Sequence, residues 1–148
     1  MKKIATVLML IAAILVGGIT MKADNTGKPL TQYYLVDAGS GMATLRSKSD
    51  MGRVLKSLGF KITSNGSTFK AVRGATTVVM TKIRDGNKCT VTFGSQSEVN
   101  QFVESMHKSH WIQSGNSYTH PDFMFGGGVT ATVKGRTVTL VYQWDGSI

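Results

Sequence analysis

Hydrophobic residues recur in two patterns along this chain of 148 residues, and each pattern occurs twice. Apolar residues three and four positions apart, the period of an amphipathic helix, fall on residues 51–58 and again on 99–106. Before each stretch stands Ser-x-Ser and then an acid, Asp50 or Glu98. A serine hydroxyl can cap the first helical turn there, and the carboxylate meets the positive end of the helix dipole. The pattern predicts two helices, each closed by an aromatic residue: Phe60 and Trp111.

Alternation of apolar and polar residues follows each helix and predicts short strands. In the first half the turn contains Asn65-Gly66, a strong signal for a hairpin, and in the second half the turn reads QSGNSY. An aromatic residue follows each turn at a matching place, Phe69 or Tyr118. The later strands are expected at residues 76–84, 88–93, 128–134 and 136–144.

We therefore predict an α+β fold made of two tandem repeats, residues 47–94 and 95–148. Each repeat holds one helix and about four antiparallel strands, and the helices pack on one face of the sheet. Residues 24–46 precede the first repeat as an N-terminal extended segment, in which Tyr33–Val36 is expected to be an entry strand or an extended stretch.

This duplicated plan, over about residues 47–144, resembles the β-lactamase inhibitor protein and its relatives. The resemblance is one of architecture, without a sequence motif specific to that family, so it transfers no contact residues. It implies that the two units form one long curved sheet. It also implies a secreted protein that binds other proteins on the open face of that sheet.

The N-terminus has the layout of a secretory signal peptide, predicted to comprise residues 1–23. Two lysines precede an apolar run over residues 4–16, and small residues follow before the chain becomes polar. Cleavage near Ala23 would export the chain to the periplasm or the cell exterior without stable membrane insertion. The alternative is an uncleaved anchor, because the run over residues 4–21 nearly reaches the ~20 residues that span a bilayer.

The stretch LVDAGSG, residues 35–41, looks like the phosphate loop of the actin, hexokinase and apyrase type of phosphotransferase. Those enzymes need two large α/β lobes that close on a nucleotide. The mature chain has about 125 residues, with an antiparallel pattern and one helix per sheet. We therefore interpret LVDAGSG as an extended segment and a flexible turn that lead to the first helix.

The mature chain holds a single cysteine, Cys89, and so has no internal disulfide. Alternation places Cys89 inward together with Val91 and Phe93. We expect a buried and inert thiol, as is usual for free cysteines.

The same alternation leaves one sheet face free. In the last strand Thr137, Thr139 and Gln143 fall opposite the apolar positions Val138 and Leu140. We select Thr137, Thr139 and Gln143 as candidate binding residues on a threonine-rich face that a partner could cover. The alternative is a solvent-exposed sheet face without a binding role, where threonine is frequent only because it favours β-strands.

Charge separates the two repeats. The chain has a formal net charge of +9. Residues 46–88 hold ten basic and two acidic residues, a net charge of +8, whereas residues 95–148 hold three basic and four acidic residues, a net charge of −1. Lys70, Lys82 and Arg84 fall on alternating positions that could place them on one sheet face, where they would attract an anionic partner. The alternative is charge that only confers solubility.

Nucleic acid is not expected as the anionic partner, for two reasons. The chain is predicted to be exported. Its basic segment also lacks the interleaved exposed aromatics that stack on bases.

Signals for catalysis and for metal binding are weak. Three histidines (His107, His110 and His120) follow Glu104, a spacing that can hold a metal but is common on solvated helix faces. No Gly-x-Ser-x-Gly elbow places a nucleophile, and the acids are scattered. We predict no catalytic residues, no metal site and no cofactor.

The sequence thus predicts an exported, non-catalytic binding protein. It would bind another protein through the open sheet face, as an inhibitor of an envelope or secreted enzyme does. The alternative is a binder of an anionic envelope ligand, such as lipid or glycan phosphate, through the basic first repeat. A small metal-binding protein or hydrolase is the third alternative.

Overall fold

The computed structural model describes residues 26–36, 43–121 and 127–144. The predicted signal peptide and the DAGSG part of the LVDAGSG stretch lie outside the described residues. The described elements are four helices and eight strands. The helices are α1 (Gln32–Leu35), α2 (Ala43–Arg46), α3 (Lys48–Ser57) and α4 (Gln96–Lys108). The strands are β1 (Lys61–Asn65), β2 (Thr68–Arg73), β3 (Thr76–Ile83), β4 (Gly86–Thr92), β5 (Ile112–Ser114), β6 (Ser117–Thr119), β7 (Gly127–Lys134) and β8 (Thr137–Trp144).

All eight strands belong to one antiparallel sheet, in the order β1-β2-β3-β4-β8-β7-β6-β5. The α+β class with an antiparallel sheet is therefore confirmed. The two central strands, β4 and β8, pair over seven residues, from Gly86 opposite Gln143 to Thr92 opposite Thr137. Their pairing joins the four strands that follow α3 to the four strands that follow α4.

The two long helices begin where the sequence predicts. Ser47 caps α3 by accepting a hydrogen bond from the backbone N–H of Asp50, and Ser95 caps α4 in the same way through Glu98. Hydrogen bonds from Arg53 and Ser47 hold the pKa of the Asp50 carboxyl below its usual value. The carboxylate is thus the form that these bonds favour, and protonation at low pH weakens the cap.

One hydrophobic core contains side chains from the helices and from the inward positions of the strands. The inward row of the sheet runs through Phe69, Met80, Cys89, Leu140 and Ala131, which are paired across five strands and are all buried. The same buried cluster contains side chains from the helices: Leu35, Leu45, Met51, Val54, Leu55, Val99, Phe102 and Met106.

The N-terminal segment departs from the sequence prediction. Residues 32–35 form the short helix α1 and residues 43–46 form α2, so the prediction of a strand or extended stretch at Tyr33–Val36 is wrong. Leu35 and Val36 are both fully buried. Consecutive residues of a strand point to opposite faces, whereas a helical turn allows both side chains to reach the same core.

A buried glutamine attaches this segment to α4. The Gln32 side chain donates from Nε2 to Ser109 Oγ at 2.7 Å and to the Ser105 carbonyl at 3.3 Å. Its Oε1 accepts from Trp111 Nε1 at 3.2 Å, and its backbone N–H donates to Ser105 Oγ at 3.2 Å. Gln32 is fully buried, so these bonds satisfy polar groups that have no access to water.

Gly86 is required by the central pairing of β4 with β8. A Cβ atom at this position would lie 1.9 Å from the backbone oxygen of Tyr142 in β8. Backbone cannot move aside as the end of a flexible side chain can. A side chain at position 86 must therefore push the two central strands apart.

We expect Gly86→Ala to lower the free energy of unfolding by about 2–3 kcal/mol, since a methyl group is forced into closely packed backbone. Gly66→Ala is the matched control, because Gly66 lies in the β1–β2 turn with no atom within 4 Å of an added Cβ. Urea denaturation followed by circular dichroism measures both. Equal stability of the two variants would contradict the close approach of β4 to β8.

We expect Gln32→Leu to lower the free energy of unfolding by about 2–3 kcal/mol, because the N–H group of Trp111 then stays buried without its acceptor. Trp111→Phe removes that donor, so the double variant should cost less than the sum of the two single changes. Tyr33→Phe, in the same helix but exposed, is the control. Additive costs in the double-mutant cycle would show that the bond between Gln32 and Trp111 contributes nothing.

Candidate functional site: the open face of the sheet

The outward positions of the strands form a broad polar face. One row crosses all eight strands through directly paired residues: Ser64, Lys70, Val79, Thr90, Thr139, Thr132, Ser117 and Ser114. Unlike the inward row from Phe69 to Ala131, none of these side chains is fully buried. Adjacent outward rows are also rich in threonine: Thr68, Thr77, Thr81, Thr92, Thr119, Thr130 and Thr137.

The charge on this face has one sign. Lys61, Lys70, Lys88 and Lys134 occupy outward positions and are exposed. No aspartate or glutamate stands at an outward strand position in the described residues. Two valines, Val79 and Val141, are half-buried near the middle of the face. The face is thus rich in hydroxyl groups and has two valines near its middle, and three of its four lysines lie on β1, β2 and β4.

The structure brings together most of the candidate residues selected from the sequence. Thr137, Thr139 and Gln143 lie on the outward side of β8, and Lys70 lies in the same row as Thr139. Thr139 is next to the middle of the sheet, since β8 pairs with β4 on one side and with β7 on the other. Their proposed role in binding stays a prediction.

The other two candidates, Lys82 and Arg84, do not join them. Lys70 pairs with Val79, and along β3 the outward residues are therefore odd-numbered. Lys82 points to the same side as Met80, which is buried, and Arg84 lies beyond the end of β3 in the turn to β4. The prediction that Lys70, Lys82 and Arg84 share one face is wrong. The pairing of β2 with β3 matches even with odd residue numbers, so outward residues are even-numbered in β2 and odd-numbered in β3.

Lys82 instead lines a pocket on the helix side of the sheet, near the start of α3. The pocket has a volume of about 390 Å³, and two other cations, Arg46 and Lys48, also line it. The Asn87 side-chain amide donates to the backbone oxygens of Leu45, at 2.7 Å, and Arg46, at 3.2 Å. Lys48 Nζ donates to the carbonyl of Gly66. These bonds connect α2 to β4 and α3 to the turn between β1 and β2.

A larger cleft, of about 470 Å³, lies between the N-terminal segment and the start of α4. Its charged groups serve the fold. Arg73 stacks on the Phe60 ring at 4.7 Å and donates to the carbonyls of Lys28 and Leu58. Glu98 accepts hydrogen bonds from Ser95 and Thr76.

The histidines and Glu104 are not assembled for metal binding. His107 lies against Tyr118, with ring centroids 5.6 Å apart, and the buried His120 lies against Trp111 at 5.0 Å. Glu104 forms an ion pair with Lys108 at 3.6 Å on the exposed side of α4. Within the ranges that the structure describes, no group of three or more histidines, cysteines or acids could hold a metal ion.

Comparisons with protein families, with curated proteins and with solved structures give no match for this chain. Among the described helices, none is long and apolar enough to cross a membrane. The candidate sites therefore rest on the geometry and chemistry of the residues themselves.

Two features could not be predicted from the sequence: the pocket lined by Arg46, Lys48 and Lys82, and the hydrogen bonds that Gln32 forms with Ser105, Ser109 and Trp111. The pocket combines Arg46, Lys48 and Lys82, which are separated by up to 36 positions in the chain. Gln32 and its hydrogen-bond partners lie 73 or more positions apart in the chain. The sequence showed these three cations only as part of the net charge of +8 over residues 46–88, because their arrangement around one pocket depends on the fold.

Cys89 is fully buried in the inward row, which confirms the sequence prediction. Burial raises the pKa of its thiol to about 12. The thiolate is the reactive form of cysteine, so very little of it exists near neutral pH.

We expect Cys89 in the native protein to stay unreacted with an aromatic disulfide reagent at about pH 8, where an exposed thiol with a pKa of about 8.5 reacts readily. Adding denaturant should expose the thiol and restore full reactivity. Absorbance of the released thiolate measures both states. Reaction of the native protein at the rate of a free thiol would contradict the burial of Cys89.

Proposed function

We propose that this chain is an exported, non-catalytic binding protein that holds an acidic protein partner on the open face of its sheet. The observation that carries the proposal is the one-sided chemistry of that face. Lysines stand among threonines and half-buried valines there, without an aspartate or glutamate at any outward strand position that the structure describes. An acidic surface would be steered to this face and would meet no like charge on it.

The dimensions of the face also favour a protein partner. Eight strands about 4.8 Å apart span about 34 Å, and six residues of a strand span about 20 Å, which gives roughly 700 Å². A standard protein interface buries about 800 Å² on each partner. The half-buried Val79 and Val141 would supply apolar contact near the centre, where interfaces gain most of their affinity.

The architecture adds support through its internal symmetry. We propose that residues 47–94 and 95–148 are tandem repeats whose helices pack on one face of the common sheet. The strand order supports this, because corresponding strands of the two halves lie at equal distances from the central pair of β4 and β8. The Ser-capped helices α3 and α4 stand at the same place in each half. The resemblance to the β-lactamase inhibitor protein implies binding on such a face.

Export belongs to the same proposal. The apolar run after Lys2 and Lys3 supports a signal peptide ending near Ala23, and therefore a periplasmic or extracellular location. An inhibitor of an envelope or secreted enzyme is a concrete form of this function.

A second candidate function is the binding of an anionic envelope ligand, such as lipid or glycan phosphate. The net charge of +8 over residues 46–88 supports it. Binding of this kind would weaken steeply as salt is added, because exposed charges more than about 8 Å apart are screened at physiological ionic strength.

We expect Thr139→Glu to abolish capture of a protein partner from envelope extract, because the new carboxylate stands at the middle of the face and repels an acidic surface. Gln101→Glu, on the exposed side of α4, makes the same charge change away from the face and should leave capture intact. The bait is the chain from residue 24, washed at low and at high salt and analysed by mass spectrometry.

Retention of one protein through high salt by the unchanged chain and by Gln101→Glu, with loss in Thr139→Glu, supports the proposal. Thermal unfolding of each variant verifies that it is folded. If all proteins captured at low salt were released at high salt, or if the two variants behaved alike, the sheet face would not be a specific protein-binding site.

A further inference from the structure

We propose that the pocket lined by Arg46, Lys48 and Lys82 binds the phosphate group of a sugar phosphate or of a phospholipid headgroup. The inference deepens the second candidate function, on which it rests, and is independent of the sheet-face proposal. The three cations come from three different elements, α2, α3 and β3. They converge on one pocket although Lys82 is on the opposite side of the sheet from Lys70.

Among the described residues, no acid forms an ion pair with a cation of the pocket. No aspartate or glutamate of the part of the chain that the structure describes lines the pocket. The two closest acids in sequence are engaged elsewhere. Asp50 binds Arg53 at 3.1 Å and Ser47 at 3.0 Å, and Asp85 faces Arg84 at 3.9 Å. Asp50 attracts Arg46 electrostatically without a direct ion pair, so the pocket keeps an excess of positive charge for a ligand with more than one negative charge.

The number and type of the donors favour phosphate over a single carboxylate. A guanidinium offers a planar fork of N–H donors that matches two phosphate oxygens, and ammonium groups add point charges on the remaining sides. Arg46 and the two lysines thus provide the donor types that phosphate esters use. The carbonyl of Gly66 accepts a hydrogen bond from Lys48 Nζ, which orients that ammonium group. Asn87 holds the backbone of Arg46 beside the pocket, while the guanidinium itself keeps its donors for a ligand.

The pocket is larger than a phosphate group needs. Its volume of about 390 Å³ lies within the range of small-molecule sites, which begins at about 300 Å³. Ser67 and Asn87 also line it and present neutral polar atoms, and the buried Met80 adds an apolar contact. Asn87 donates through Nδ2 to α2, so its Oδ1 is the atom left to accept a ligand hydroxyl. A hydroxylated remainder attached to the phosphate fits these groups.

The first experiment is calorimetric titration of the purified protein with glucose 1-phosphate at low salt. We expect saturable binding with one site per chain. Lys82→Gln should weaken it by about tenfold or more, since a charge-assisted hydrogen bond to phosphate is lost. Lys70→Gln removes the same charge from the other side of the sheet and should change the affinity by less than about twofold. Lys82→Arg should retain most of the binding.

A second arm distinguishes the two sources of the phosphate. Sedimentation with vesicles of phosphatidylcholine, alone or mixed with phosphatidylglycerol, is compared for the unchanged protein and both glutamine variants. Binding to the mixed vesicles that Lys82→Gln abolishes and Lys70→Gln retains assigns the pocket to a lipid headgroup. Binding of glucose 1-phosphate alone, with the same pattern of variants, assigns it to a soluble sugar phosphate.

Two results would overturn the inference, and they differ in what else they remove. If Lys70→Gln and Lys82→Gln weakened ligand binding equally, the ligand would be attracted by the overall charge of the basic repeat. That result excludes the pocket as the binding site but is consistent with the second candidate function. If the folded, unchanged protein bound neither probe, both the phosphate site and the second candidate function would be excluded. Thermal unfolding of each variant verifies that loss of binding is not loss of fold.

Discussion

The pairing of β4 with β8 is the interaction on which the rest of the structure depends. Each half of the chain alone would be a four-stranded sheet with an open edge at β4 or at β8. An unpaired edge of seven or eight residues exposes a row of backbone donors and acceptors, which invites aggregation. Joining the two edges satisfies both rows and makes the inward positions of eight strands continuous. The single buried cluster then draws side chains from both halves.

That junction also determines what the outward face can be. Two separate sheets of four strands would each offer about half of the area of a standard interface. Paired through β4 and β8, they place Lys70 and Thr132 in one row with Thr90 and Thr139 between them. The basic half and the nearly neutral half therefore contribute to a common surface, in which charge and hydroxyl groups are unevenly distributed from one edge to the other.

Local signals explain how much of the fold the sequence predicted. The helices α3 and α4 and the hairpins of the later strands depend on caps, turns and periodicity within about a dozen residues, and each was found in its expected place. The order of the sheet could not be derived in this way, because Gly86 and Gln143 meet across 57 positions without any local mark. The helix α1 was missed for the same reason, since its buried Gln32 takes its partners from α4 and Trp111.

The two candidate sites illustrate a further limit of alternation as a guide. Alternation within β8 placed Thr137, Thr139 and Gln143 together, because residues of one strand share a phase. To know whether residues of two different strands share a face, the register between the strands is needed. Across the β2–β3 hairpin this register places Lys82 on the side opposite Lys70. The basic charge of the first half is therefore divided between two surfaces. Because the sheet separates these two surfaces, a charge change on one side leaves the short-range contacts of the other side intact. The proposed protein-binding face and the proposed phosphate pocket are therefore compatible with each other on one chain.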